Sequence, residues 1–364
     1  MDPEEMLSTR KTYELVGLER IQQWMQNLLR RPLALAIIGA PSSRNGFSGE
    51  TFFLEDQTEV NNRPRYILRQ EALGPEVVFP PGGDFLLEAQ VQQALSALGS
   101  VPVPPIIGIE GDSALIGRRF YVMSVVQGDV PCDNPGYHRA GTVAELAPDD
   151  RHALAINGIE SLAALARVDP KALNIPNLWR GESGQSEIAW DLDYYRNYWL
   201  WAKEDLTYRY IDVALAWADR HAPHGEPTVV SWGDARYGNV IFDNTRTAAL
   251  IDWEMVTIGS PEKDLCYWTL MDEVNATMIA SAPLEGWPST EEFLDVYERA
   301  LGRCVDFELI SFYRVFAAIR LTIIYGRFVN IMRRRGKFPK DMIIDPAIAP
   351  VVRILERELR RVGA

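Results

Sequence analysis

Cysteine is scarce. There are three, Cys132, Cys266 and Cys304, far apart in the chain and without a CxxC pair. An odd, scattered set of this kind argues against a disulfide framework and a structural zinc site, and it predicts a reducing compartment. Long apolar runs are missing too. No stretch approaches the ~18 residues that a membrane-spanning helix needs. The opening MDPEEMLSTR is acidic and polar, where a signal peptide is basic and then apolar. The expectation is a cytoplasmic protein. Positive charge is in deficit, with 37 Lys and Arg against 50 Asp and Glu and a net charge of −13. A surface of that sign repels phosphate backbones and anionic lipid, so a general nucleic-acid or membrane-surface role is excluded. One nucleotide is still admissible, because a few local cations and a metal ion override the global field. No internal repeat is visible.

What is present is a globular composition: 364 residues, 47% hydrophobic and 24% charged. Such a chain buries enough apolar surface to fold, as one large domain or two of ordinary size. Residues 13–31 have helical periodicity, with Leu15, Leu18, Ile21, Trp24, Met25 and Leu28 on one face, and Pro32 stops the helix. Short strand-like runs follow at 33–38, 50–54 and 65–69, with a Gly/Ser/Pro/Asn loop at 40–49. A helix is expected at 82–98, then strands at 106–109 and 118–126. Beyond Gln127 helical signals dominate, at 151–168, 190–222, 290–301, 306–335 and 346–361, with one β-rich island at 229–253. This predicts an α+β chain: a first lobe of sheet plus helix over residues 1–127 and a mostly helical lobe over 128–364. A cleft between two such lobes is a common place for a small-molecule site. The aromatic residues of 190–201 are expected to pack mainly against Ile323, Tyr325 and Phe328 of the late helix.

The island reads VVSWGDARYGNVIFDNTRTAALIDWEMVTIGSPEKDL. Asp234 and Asn239 lie in a loop closing on the strand at 240–242, and Asp252 ends the strand at 248–251. A hairpin turn at 244–247 sets Asn239 and Asp252 side by side. An amide oxygen beside a carboxylate suits a hard cation such as Mg²⁺. Asp234, five residues before Asn239, stands near that metal without having to ligate it, where a base for a substrate hydroxyl belongs.

WGDARYGN followed by LIDWE resembles the catalytic loop and metal motif of the aminoglycoside phosphotransferase family, relatives of the protein kinases, whose loop has the form D-x-x-x-x-N with a metal-binding Asp on the next hairpin. Gly259, Pro261, Asp264 and Leu265 match the family's downstream pattern. The resemblance covers roughly residues 37–335. The Tyr66-Ile67-Leu68-Arg69 strand and the long N-terminal helix look closest to the branch also found fused to acyl-CoA dehydrogenases. One departure stands out: the family usually has His before the Gly-Asp pair, and this chain has Trp232. That raises the question of how Asp234 is held.

The resemblance implies a protein-kinase-like bilobal fold and transfer of the γ-phosphoryl group of ATP or GTP to a small-molecule alcohol with Mg²⁺. Asp234 would be the base, Arg236 would face the transferring phosphate, and Asn239 and Asp252 would hold the metal. Gly46, Ser48 and Gly49 would lie in a phosphate-covering loop. Arg69 would take the slot of the kinase phosphate-binding Lys, with Glu88 as its partner. Met123, Ser124 and Val126 would line the adenine edge at the hinge. Asp264 would hold the catalytic loop by hydrogen bonds or cap the next helix. The competing class is a nucleotide-binding regulator without turnover, favoured by Trp232 and Arg69 and opposed by the intact Asp234, Asn239 and Asp252. A third reading is a structural partner of an acyl-CoA-handling enzyme.

Overall fold

A computed structural model of the chain describes residues 17–39, 49–58, 63–72, 77–80, 83–204, 206, 208–280, 282–337 and 345–364. Two compact units emerge, Met1–Pro75 with Pro105–Val125, and Glu76–Pro104 with Val126–Ala364.

The first unit holds α1 (Leu18–Leu29) and strands β1 (Leu35–Gly39), β2 (Gly49–Asp56), β3 (Arg65–Glu71), β4 (Ile106–Glu110) and β5 (Phe120–Ser124). They form one antiparallel sheet in the order β1-β2-β3-β5-β4. Burial alternates along β3: Tyr66, Leu68 and Gln70 point inward, and Arg65, Ile67 and Arg69 do not. The inward face meets Ile21 and Met25 of α1 together with Leu54, Phe120 and Val122, the period-two pattern that fixes register wherever one face is buried. Trp24 packs edge-on against Phe120, with centroids 4.9 Å apart.

The second unit contains α2 (Leu87–Leu98), α3 (Thr142–Glu145), α4 (Pro148–Leu165), α5 (Glu187–Ala202) and α6 (Arg209–His221). Next come β6 (Val229–Ser231), β7 (Val240–Asp243), β8 (Arg246–Leu250) and β9 (Thr257–Gly259). The chain ends in α7 (Pro261–Glu273), which runs into a π-helical turn (Val274–Ile279), then α8 (Thr290–Leu301), α9 (Phe307–Arg334) and α10 (Asp345–Arg361). β6 pairs with β9 and β7 with β8, both antiparallel. Leu87, Val91 and Leu95 of α2 share an apolar core with Leu154, Ile159, Trp232 and Trp268, and Pro102 O accepts from Leu250 N at 2.9 Å. Segment 76–104 therefore goes with the helical unit, where a cut after residue 127 would place it with the sheet.

Other expectations need correction. The helix expected at 190–222 is two, α5 and α6. Asn330 closes the first by donating to Ala202 O and Lys203 O at 2.9 and 3.3 Å, and Glu204 turns the chain at φ 49°. α7 was not legible because eleven of its thirteen residues are buried. A helix buried all round has no polar face to betray its period. The helix expected from residue 82 starts at Leu87. Of the α5 aromatics, Tyr195, Tyr198 and Trp199 are buried in a core with Phe316 and Ile323 of α9, whereas Tyr325 is exposed.

Candidate active site

The β7–β8 hairpin closes on a two-residue turn, Asn244 and Thr245, tighter than the 244–247 turn expected. Asn244 takes the left-handed φ of 55° that such turns demand and Asn tolerates. The ladder pairs Val240 with Leu250 and extends by one bond, from Ile251 N to Asn239 O at 2.9 Å. Asn239 therefore lies across from the residue before Asp252. Asp252 adopts φ 62°, a left-handed conformation rare for side chains other than Asn and Asp.

Asp234 is largely buried. Its Oδ2 accepts from Asn239 Nδ2 at 2.6 Å and from Arg236 Nε at 2.9 Å. Among the described residues no hydrogen bond reaches its Oδ1. The Asn239 amide also donates to Asp234 O at 3.0 Å. With its nitrogen engaged on Asp234, Asn239 has only its amide oxygen to offer a cation. Arg236 forms a second ion pair, with Asp133. Burial works against the Arg236 charge, but the carboxylates of Asp234 and Asp133 outweigh it and hold the guanidinium pKa well above its ordinary value.

The loop before Asp234 is gripped from several directions. Gly233 has φ 87°, and a Cβ there would run into Met255 O, so only glycine fits. Asp264, on α7, accepts from Ser231 Oγ at 3.0 Å, Trp232 N at 2.6 Å and Gly233 N at 3.0 Å. Burial pushes the Asp264 carboxyl upward, against the neighbouring Lys263 and the Gly233 and Trp232 amides, which favour its charged form. Asp264 thus holds the loop, as expected, and the capping role falls to Ser260, whose side chain accepts from Glu262 N. Trp232 answers the question its position raised. Its fully buried indole donates from Nε1 to Ile251 O at 3.0 Å and packs 5.6 Å from Trp253. It ties the Asp234 loop to the segment that leads into Asp252.

Among the described residues no three His, Cys, Asp or Glu side chains cluster to hold a metal. The donors expected there are the Asn239 amide oxygen and the Asp252 carboxylate. An all-oxygen pair that leaves most positions to water and phosphate is the kind of set Mg²⁺ accepts.

The remaining expected residues are placed as follows. Arg69 lies on β3, opposite Thr51 and Tyr121. Glu88 is buried on α2, in the other compact unit. Gly49 is the first residue of β2. Met123, buried, and Ser124 end β5, and Val126 begins the second stretch of the helical unit. Gly46 and Ser48 lie outside the described residues. Two residues escaped the sequence reading: Asp133, which meets Arg236, and Arg320 of α9, whose NH2 donates to Gly233 O. Each reaches the loop from far along the chain, so no local pattern marks it.

Residues 43–309 match the Phosphotransferase enzyme family, APH; the chain belongs to that family. Acyl-CoA dehydrogenase family member 11 of Homo sapiens is 29% identical over 270 residues, which is 71% of this chain and 32% of the human protein. The chain thus spans about a third of that relative's length. A solved structure of a putative aminoglycoside phosphotransferase from Ralstonia eutropha is 22% identical with a TM-score of 0.69 and covers 93% of this chain and 95% of its own. The GDP complex of aminoglycoside 2'-phosphotransferase-IIIa is 14% identical with a TM-score of 0.53, covering 96% and 100%. At these identities the likeness is one of fold, and the fold is the protein-kinase-like α+β type. Among the described residues no helix is long and apolar enough to cross a membrane.

Proposed function

We propose that the chain transfers the γ-phosphoryl group of ATP or GTP to a hydroxyl of a small molecule. The observation that carries this reading is the contact of Asn239 Nδ2 with Asp234 Oδ2 at 2.6 Å. It fixes one carboxylate oxygen and leaves Oδ1 to receive a proton, while turning the Asn239 amide oxygen over to a cation. Asp234 orients the acceptor hydroxyl and takes its proton at Oδ1. Asn239 and Asp252 hold Mg²⁺, which when bound neutralises the charge on the phosphoryl oxygens. Arg236 meets the transferring phosphate, and its planar donor set leaves it able to serve Asp234 at the same time. Gly46, Ser48, Gly49 and Arg69 hold the nucleotide phosphates, and Met123, Ser124 and Val126 its base.

The test is nucleotide consumption by the full chain with ATP and GTP, with and without Mg²⁺, across a panel of alcohols. Mg²⁺-dependent turnover stimulated by an alcohol is the expected result. Tight nucleotide binding with no turnover for any acceptor favours the regulator.

Arg69 and Glu88 give a separate expectation. If Glu88 fixes the Arg69 guanidinium so that its donors meet phosphate, less ordering entropy is lost when nucleotide binds. Glu88→Ala then weakens nucleotide binding almost as much as Arg69→Ala, and the double variant loses little more than either. Calorimetric affinities read this directly: coupled residues are non-additive, and two independent charges give effects that add.

A further inference from the structure

Arg320 is a charge deep in an apolar setting. It sits in the middle of α9 and is 1% exposed. Among the described residues no carboxylate forms an ion pair with it, and its NH1 has no hydrogen-bond partner. Nε donates to Tyr195 OH at 3.0 Å and NH2 to Gly233 O. The guanidinium lies 4.6 Å from the Tyr267 ring centroid and 5.5 Å from that of Tyr195. Taking a cation out of water is costly, and an apolar side chain of the same length would avoid both that cost and the stranded donor. Packing alone therefore does not account for an arginine here.

What it touches does. The carbonyl it binds belongs to the peptide bond that leads into Asp234. On the other side of the same residue, the Asp264 carboxylate accepts Gly233 N. A buried anion and a buried cation thus hold the N–H and C=O of one glycine, and that glycine is in a left-handed conformation no other residue could share. With both its peptide groups held, Gly233 cannot swing, and the direction in which Asp234 leaves the loop is fixed. In this chain Trp232 is committed to Ile251 O, so the bracing of Gly233 falls to other side chains.

We infer that Arg320 is a positioning residue for phosphoryl transfer, acting through Gly233 to aim the Asp234 carboxylate. The inference rests on the function proposed above for Asp234. A displacement near 1 Å at a reacting group costs roughly 10²-fold in rate, and that is the scale on which the role shows.

The experiment compares the full chain with Arg320→Met and Arg320→Lys, each assayed well below its own unfolding midpoint. Mg²⁺-dependent ATP turnover gives kcat and KM, calorimetry with a non-hydrolysable ATP analogue gives Kd, and a crystal structure of each protein gives the loop. In Arg320→Met, kcat falls roughly 10²-fold while the nucleotide Kd stays within about threefold, because nucleotide binding does not depend on the aim of Asp234. The loop structure shows the Gly233 peptide turned and Asp234 displaced from Asn239. Arg320→Lys recovers part of kcat, since an ammonium reaches one acceptor but not two at once. If Arg320→Met does not fold, Arg320→Lys carries the comparison, with lowered kcat and unchanged Kd. A folded variant with wild-type kcat and only a lower unfolding temperature overturns the inference. Should wild type itself show no turnover, the functional reading has failed, and the crystal structures still decide the positioning: an unmoved Gly233 peptide and Asp234 carboxylate in the variant refute it.

Discussion

Asp252→Ala removes Mg²⁺-dependent nucleotide turnover, by at least ~10³-fold, which is the scale of several kcal/mol of lost charge stabilisation at a metal site. The fold survives. Asp252 stands after β8 at the hairpin end, and placing Ala at its φ of 62° costs about 1–2 kcal/mol of stability, a minor share of what holds a chain of this size. Asp252→Asn separates the two effects. The amide tolerates the left-handed conformation and lacks the charge, so it should fold like wild type and turn over like the alanine variant. Circular dichroism and steady-state turnover at several Mg²⁺ concentrations make the check. Wild-type turnover in a well-folded Asp252→Ala protein would show that the cation, if any, is held elsewhere.

Asp234→Asn lowers phosphoryl transfer by at least ~10²-fold, the usual contribution of a general base. The loop is expected to keep its shape, because the new amide oxygen still accepts from Asn239 Nδ2 and Arg236 Nε, and Arg236 retains Asp133. Nucleotide affinity changes little. Single-turnover transfer to an acceptor found in the alcohol panel, alongside calorimetric affinity, distinguishes loss of the base from loss of binding. Transfer near the wild-type rate would remove Asp234 from the chemistry.

The core of this site is legible in the sequence because its parts are local. Asp234 and Asn239 share one loop, and a single hairpin carries the chain to Asp252, so spacing alone implies proximity. The sheet is legible for a similar reason: its strands are short local runs, such as Tyr66-Ile67-Leu68 in β3, set off by loops. Where position depends on distant partners, the sequence is mute. α7 is enclosed on every side and offers no polar stripe, so its start at Ser260 and Pro261 reads as a turn. The end of α5 is set by Asn330, more than a hundred residues away. The allegiance of α2 to the helical unit depends on Leu87, Val91 and Leu95 meeting Leu154 and Ile159, contacts that hydrophobic periodicity cannot name. Asp133 and Arg320 belong to the same category, charges whose meaning is given by what lies across the fold.

The two anchors of Gly233 also impose an order in time. Asp264 follows it by 31 residues and Arg320 by 87. As the chain is synthesised from its N-terminus, the Asp234 loop and its hairpin exist well before α9 emerges, and domains generally fold as whole units once their distant contacts become available. Long-range closure of that kind is slow compared with hairpin formation. The loop therefore acquires its final aim only when α9 docks and brings its own share of the apolar core. A chain cut at residue 309, where the match to the family model stops, would retain Asp234, Asn239, Asp252 and Asp264 and lose almost all of α9. It would carry the groups proposed to react without the helix that braces their loop.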